Sequence, residues 1–258
     1  MNKQPNKRYI QQSLLALVIL GGTAFFGGCK SNLLDTVPPG NIASSTMWTT
    51  DNLTDLGVAG VYNALRLGIA TGGASGRELY MYDRFVTSIG RDGDALLQGT
   101  ATTGNGMFSN VWKELYEGIH RANDAIVNIP AKSPSPADKK ARYIAEMKFM
   151  RAYYYMRLNQ LWKGVPIYLE PLPVDQMNRG RATEQEVWDQ VVQDLTDAIN
   201  EPALPLKYAK GNAATGHATK GAAYALRGKA YMYQQKWALA AADFQKVREA
   251  GYALFGNY

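Results

Sequence analysis

One cysteine, Cys29, and two histidines, His120 and His217, are present in the 258 residues. A lone cysteine excludes an intrachain disulfide and any site built from several thiolates. The histidines are far apart and show no H-E-x-x-H spacing, so each reads as an ordinary surface or core histidine. No G-x-x-x-x-G-K-[ST] loop occurs, and "LRGKA" lies within a helical pattern. The glycine-rich "TGGASGRE" and "TTGNGM" lack the strand and helix that frame a phosphate site. No G-x-S-x-G elbow is present either. Asp92 and Asp94 stand two apart in a glycine-rich stretch, a spacing that suits turn formation better than a pair of glycosidase carboxylates. No catalytic residue, no cofactor and no metal site is expected, and an enzyme is not.

Strong charge is also missing. The formal net charge is +6, and Lys3, Lys7 and Arg8 carry three of those charges, leaving +3 for the rest. No long Lys/Arg run appears, so nucleic acid is not an expected partner. The chain is not short of apolar residues, at 46%. That suffices for a sizeable core.

Residues 1–28 read as a lipoprotein signal peptide. Lys3, Lys7 and Arg8 form a basic start, followed by the apolar "LLALVILGGTAFFGG". That run is shorter than a comfortable membrane span and ends in small residues. Gly27 and Gly28 directly before Cys29 form a lipobox, with Phe26 where Leu is usual. On this reading Cys29 is the lipidation site and the first residue of the mature chain. Each buried CH₂ of an acyl chain adds about 0.8 kcal/mol, so several chains anchor firmly. Residues 29–46, with Pro38, Pro39 and Gly40, read as an extended stalk.

From residue 47 the pattern is helical. One helix starts at Thr50 or Asp51, with Leu53, Leu56, Gly60, Ala64 and Leu67 near one face. A second covers "NVWKELYEGIHRANDAIVNI" and closes at Pro130. A third begins with Ser135 as cap and Pro136 in the first turn, and ends at Gly164 and Pro166. "VPIYLEPLPV" reads as extended. Thr183 and Glu186 form a capping box. Val187, Val191, Leu195, Ala198 and Ile199 then make a stripe that Pro202 stops. In the last pair of helices Tyr224, Gly228, Tyr231, Trp237, Ala240 and Phe244 fall at tetratricopeptide offsets. Trp112, Trp162, Trp188 and Trp237 lie in helical patterns and are assigned to the core. The expected fold is all-α, with tetratricopeptide-like helical hairpins and long loops.

Residues 69–108 stand apart, because many glycines leave no room for a long helix there. Tyr80, Tyr82, Arg91 and Asp94 are the candidate ligand-binding residues on chemistry alone. They supply rings to stack and charges to bond hydroxyls.

"NVWKELYEGIHRANDAIVNIP", "MKFMRAYYYMRLNQLWKGVPIYLEP", "ATEQEVWDQVVQDLTDAINEPALP" and the final helical pair together resemble the SusD/RagB family. So do "NLLDTVPPG" and "MWTT", and the resemblance runs in order from Cys29 to the last residue. It implies an outer-membrane, surface-exposed lipoprotein of the Bacteroidetes that sits over a SusC-type TonB-dependent transporter. Such a protein captures glycan or another oligomeric nutrient and hands it inward. Family members are commonly about twice this length, which makes residues 47–258 a SusD-like N-terminal helical-repeat domain. The competing expectation is a membrane-tethered helical-repeat adaptor with no ligand of its own.

Overall fold

The computed structural model describes residues 46–66 and 93–253. Among them are six α-helices: α1 (Asp51–Asn63), α2 (Gly106–Lys132), α3 (Ala137–Trp162), α4 (Glu184–Asn200), α5 (Lys220–Tyr233) and α6 (Trp237–Glu249). No strand occurs among the described residues. Packing follows chain order, with α2 on α3, α3 on α4, α4 on α5 and α5 on α6, while α1 lies against α2 and α3. Each helix buries its apolar face chiefly on its sequence neighbours, as in a stacked helical-repeat protein. The all-α, tetratricopeptide-like expectation holds.

The helix starts follow local chemistry. The Thr50 hydroxyl accepts from the Leu53 N–H at 3.2 Å, satisfying one of the free donors of the first turn of α1. At α4 the Thr183 side chain accepts from the Glu186 N–H while the Glu186 carboxylate accepts from the Thr183 N–H, the reciprocal capping box. The predicted α4 stripe is buried throughout.

Other expectations need correction. Pro130 does not close α2, which runs on to Lys132 with Pro130 inside it. So near the end, the missing N–H forfeits one bond and the helix tolerates it. Ser135 does not cap α3; Pro136 occupies that position, and the Ser135 hydroxyl instead bonds Asp51 and Ser133. The buried face of α1 is Thr54, Gly57, Val58 and Val61, and Leu56 is half exposed. Gly57 is the reason: a Cβ there would lie 2.5 Å from the buried Trp48 ring, so the indole takes the space a side chain would fill. Trp237 is not a core residue but is 61% exposed on α6. Gly228 does admit the neighbouring helix, with the Phe244 ring against its backbone.

Two contacts fix how α2, α3 and α4 meet. At the first, Gly118 of α2 faces the Tyr154 ring of α3, which would lie 2.5 Å from an added Cβ. The Tyr154 hydroxyl reaches past it to donate to the Val61 carbonyl of α1 at 2.8 Å. At the second, Arg151 of α3 is almost wholly buried. Its Nε and Nη2 donate to the two Asp194 oxygens of α4 at 2.8 and 2.7 Å. Its Nη1 donates to Asn123 Oδ1 of α2 at 2.8 Å and to the Leu169 carbonyl at 3.0 Å. Leu169 belongs to the extended strap, residues 165–173, that follows α3. One guanidinium therefore joins three helices and the strap. Farther along, Arg181 donates to the carbonyls of Trp162, Lys163 and Gly164, satisfying acceptors left free where α3 ends.

Replacing Gly118 by Ala drives a methyl into a ring that cannot retreat without losing its own hydrogen bond. Urea denaturation of G118A is expected to show a loss of about 1–3 kcal/mol despite the better helix propensity of Ala. Arg151→Met leaves the buried Asp194 carboxylate uncompensated and is expected to lose about 3–5 kcal/mol. Adding Asp194→Leu to Arg151→Met should recover part of that loss in the same assay.

Candidate functional site

A groove of about 580 Å³ lies between α2 and the segment that follows α3. That volume falls in the usual range for small-ligand sites, about 300–1,000 Å³. Its α2 wall is Trp112, Tyr116, Ile119 and His120. These stand at i, i+4, i+7 and i+8, one face of a helix. The facing wall is Pro166, Tyr168, Glu170 and Leu172, with Met177 beyond. Every second residue of an extended chain points the same way, so the period of two in the strap builds this wall.

The rings interlock. Trp112 lies edge-on to Trp162 at 5.1 Å between centroids and tilted against Tyr116 at 4.9 Å. Tyr116 meets Tyr168 edge-on at 5.8 Å across the groove. The Tyr116 hydroxyl donates to the Pro166 carbonyl at 2.7 Å. Behind the strap, the Tyr155 hydroxyl donates to the Tyr168 carbonyl at 2.8 Å and accepts from the Tyr168 N–H at 2.6 Å. Asn123 Nδ2 donates to the same carbonyl at 2.9 Å. Burial pushes the Tyr116 and Tyr155 phenols well above the ordinary tyrosine value, so both stay neutral donors at physiological pH. The Arg179 guanidinium stands 5.6 Å from the Tyr168 ring centroid.

Polar groups at the rim are unengaged. Among the described residues, the Trp112 indole N–H and the side chains of Lys113, His120 and Glu170 have no hydrogen bond or ion pair, whereas Glu117 pairs with Arg121 at 2.8 Å. Flat rings beside free donors and acceptors suit a ligand with both apolar faces and hydroxyls. No cluster of three or more His, Cys, Asp or Glu among the described residues is placed to hold a metal.

Cys29, Tyr80, Tyr82 and Arg91 lie outside the described residues. Asp94 is described, and it shapes a turn. Its Oδ1 accepts from the Leu96 N–H at 3.0 Å and its carbonyl from the Gln98 N–H at 2.9 Å. It does not line the groove. Trp112, Tyr116, His120, Tyr168 and Glu170 were not among the expected ligand residues. The signal for them was the coincidence of a ringed helical face with a period-two aromatic strap.

Residues 76–232, more than half of the chain, match a SusD-like family model described as starch-binding and associating with the outer membrane. A SusD-like protein of Formosa agariphila is 30% identical over 152 residues, which is 58% of this chain and 28% of that protein. One of Bacteroides ovatus is 26% identical over 237 residues, 86% of this chain and 39% of that one. Among solved structures, a laminarin-binding SusD-like protein superposes with a TM-score of 0.71 at 28% identity, covering 82% of this chain and 48% of that one. The chain thus spans less than half the length of these relatives. With its stacked helical hairpins and this sequence match, the chain belongs to the SusD/RagB family.

Proposed function

We propose that the protein is an outer-membrane lipoprotein that captures glycan or another oligomeric nutrient for import through a SusC-type TonB-dependent transporter. The observation that carries the capture role is the ring-walled groove with unengaged polar groups at its rim. The family description and the laminarin-binding relative support a glycan as the cargo. The role is binding without bond cleavage.

In this reading the Trp112 and Tyr168 rings stack on sugar faces. The Trp112 N–H, Lys113, His120 and Glu170 bond sugar hydroxyls. Tyr80, Tyr82, Arg91 and Asp94 form a second set of ligand contacts from the 69–108 stretch. Acyl chains on Cys29 hold the protein at the outer membrane, on its outer surface, with residues 29–46 as the stalk.

Calorimetric titration with laminarin and malto-oligosaccharides tests the capture role. Binding to one of them is expected, and Trp112→Ala should weaken it about tenfold, the loss of roughly 1.4 kcal/mol of ring contact. Absence of heat with every glycan, with unrelated proteins captured in place of a transporter, points instead to an adaptor without a ligand. Mass spectrometry of the cell-derived protein should find a diacylated thiol at Cys29. An intact leader with a free thiol would remove the anchor.

A further inference from the structure

The connection between α4 and α5, residues 201–219, crosses α1 and α3. Its outer part, residues 209–216, is largely exposed and bonds mainly to itself, through Asn212 to Ala209, Thr215 to Asn212 and His217 to Ala214. It is tied down at its two ends. On one side Lys207 donates to the Gly251 carbonyl and lies 4.6 Å from the Tyr252 ring centroid. On the other side His217 meets a buried carboxylate.

That carboxylate is Glu146 of α3, with no exposed surface. Its Oε2 accepts from the Tyr62 hydroxyl of α1 at 2.9 Å and from His217 Nδ1 at 2.8 Å. Its Oε1 has Arg142 Nε at 3.6 Å and no hydrogen bond. The Tyr62 oxygen in turn accepts from the Ala218 N–H at 2.9 Å, and the Tyr62 ring stands 5.1 Å from the imidazole. Three elements therefore close on one carboxylate.

We propose that this junction is a pH-responsive latch: the His217 imidazolium on Glu146 clamps the α4–α5 connection across α1 and α3, and loss of its proton loosens the connection. The neutral imidazole still donates its Nδ1–H to the carboxylate, but the attraction between two opposite charges at 2.8 Å is gone. The groups acting on His217 are Glu146 and Arg142 of α3 and Tyr62 and Asp55 of α1, and behind them Tyr143 of α3 and Tyr208 of the connection stand beside Arg142. The hydrogen bond to Glu146 raises the imidazole pKa above its ordinary 6.5, against burial and Arg142, which lower it; Asp55 adds to the rise. Because the folded value is the higher one, the added stability is fully present below pH 6.5 and is lost as pH rises through the folded value. The latch is independent of any ligand, and its failure would leave the capture role untouched.

Amide hydrogen exchange between pH 5.5 and 8.5 tests it, with intrinsic rates corrected and the core of α3 as internal reference. Protection of residues 205–218 is expected to fall severalfold over that range. His217→Gln keeps a donor without a titrating charge and should flatten the profile. Glu146→Gln should bring the His217 ring-proton titration down towards 6.5. His120→Gln removes the other imidazole and should leave the slope in place. A flat profile in the unaltered protein, the same slope in His217→Gln, or a His217 titration indifferent to Glu146→Gln would each overturn the latch.

Discussion

The Arg151 guanidinium is the constraint on which the rest of this structure depends. Its donors lie in a rigid plane, so bonding both Asp194 oxygens fixes its direction and leaves one nitrogen for Asn123 and the Leu169 carbonyl. A lysine presents no such fork. The ion pair does its work through geometry, because a buried pair adds little net stability over apolar packing. It sets where α2, α3 and α4 stand and brings the strap to them. The position of Tyr168, and with it the groove, follows.

The strap poses a problem that helices do not have. Its main-chain groups have no intrahelical partners, yet its inner side is buried against α2 and α3. Side chains take the place of a ladder. Tyr116 meets the Pro166 carbonyl, Tyr155 and Asn123 meet both groups of Tyr168, and Arg151 meets Leu169. The abundance of tyrosine finds a physical use here, since each ring packs on apolar neighbours while its hydroxyl reaches backbone across the interface. Tyr154, bonding Val61 over Gly118, applies the same device to α1.

Local order was legible in the sequence. The α4 stripe and the Thr183–Glu186 box are contained within a few consecutive residues, and both appear as read. The extended character of "VPIYLEPLPV" was legible too. The burying face of α1 was not, because a glycine that seats a tryptophan carries no apolar signature. Trp237 looked like core on helical spacing alone, yet α6 packs chiefly on α5 and leaves that ring in solvent. The site was the least legible part. Arg151 is 28 residues from Asn123 and 43 from Asp194, and Glu146 is 71 from His217. Polar pairings at such separations leave no periodic trace. The groove itself exists only where two patterns, one of period 3.6 and one of period two, are brought face to face.

Holding the strap by its backbone separates the frame of the groove from part of its lining. Tyr155 and Arg151 fasten it without lining the groove and Tyr116 and Asn123 do both, while Lys113, His120 and Glu170 line it and are bonded to nothing described. Exchange of those last three residues leaves every fastening bond intact. Single substitutions there can therefore change the chemistry the cleft presents at low thermodynamic risk, with the architecture left as it is.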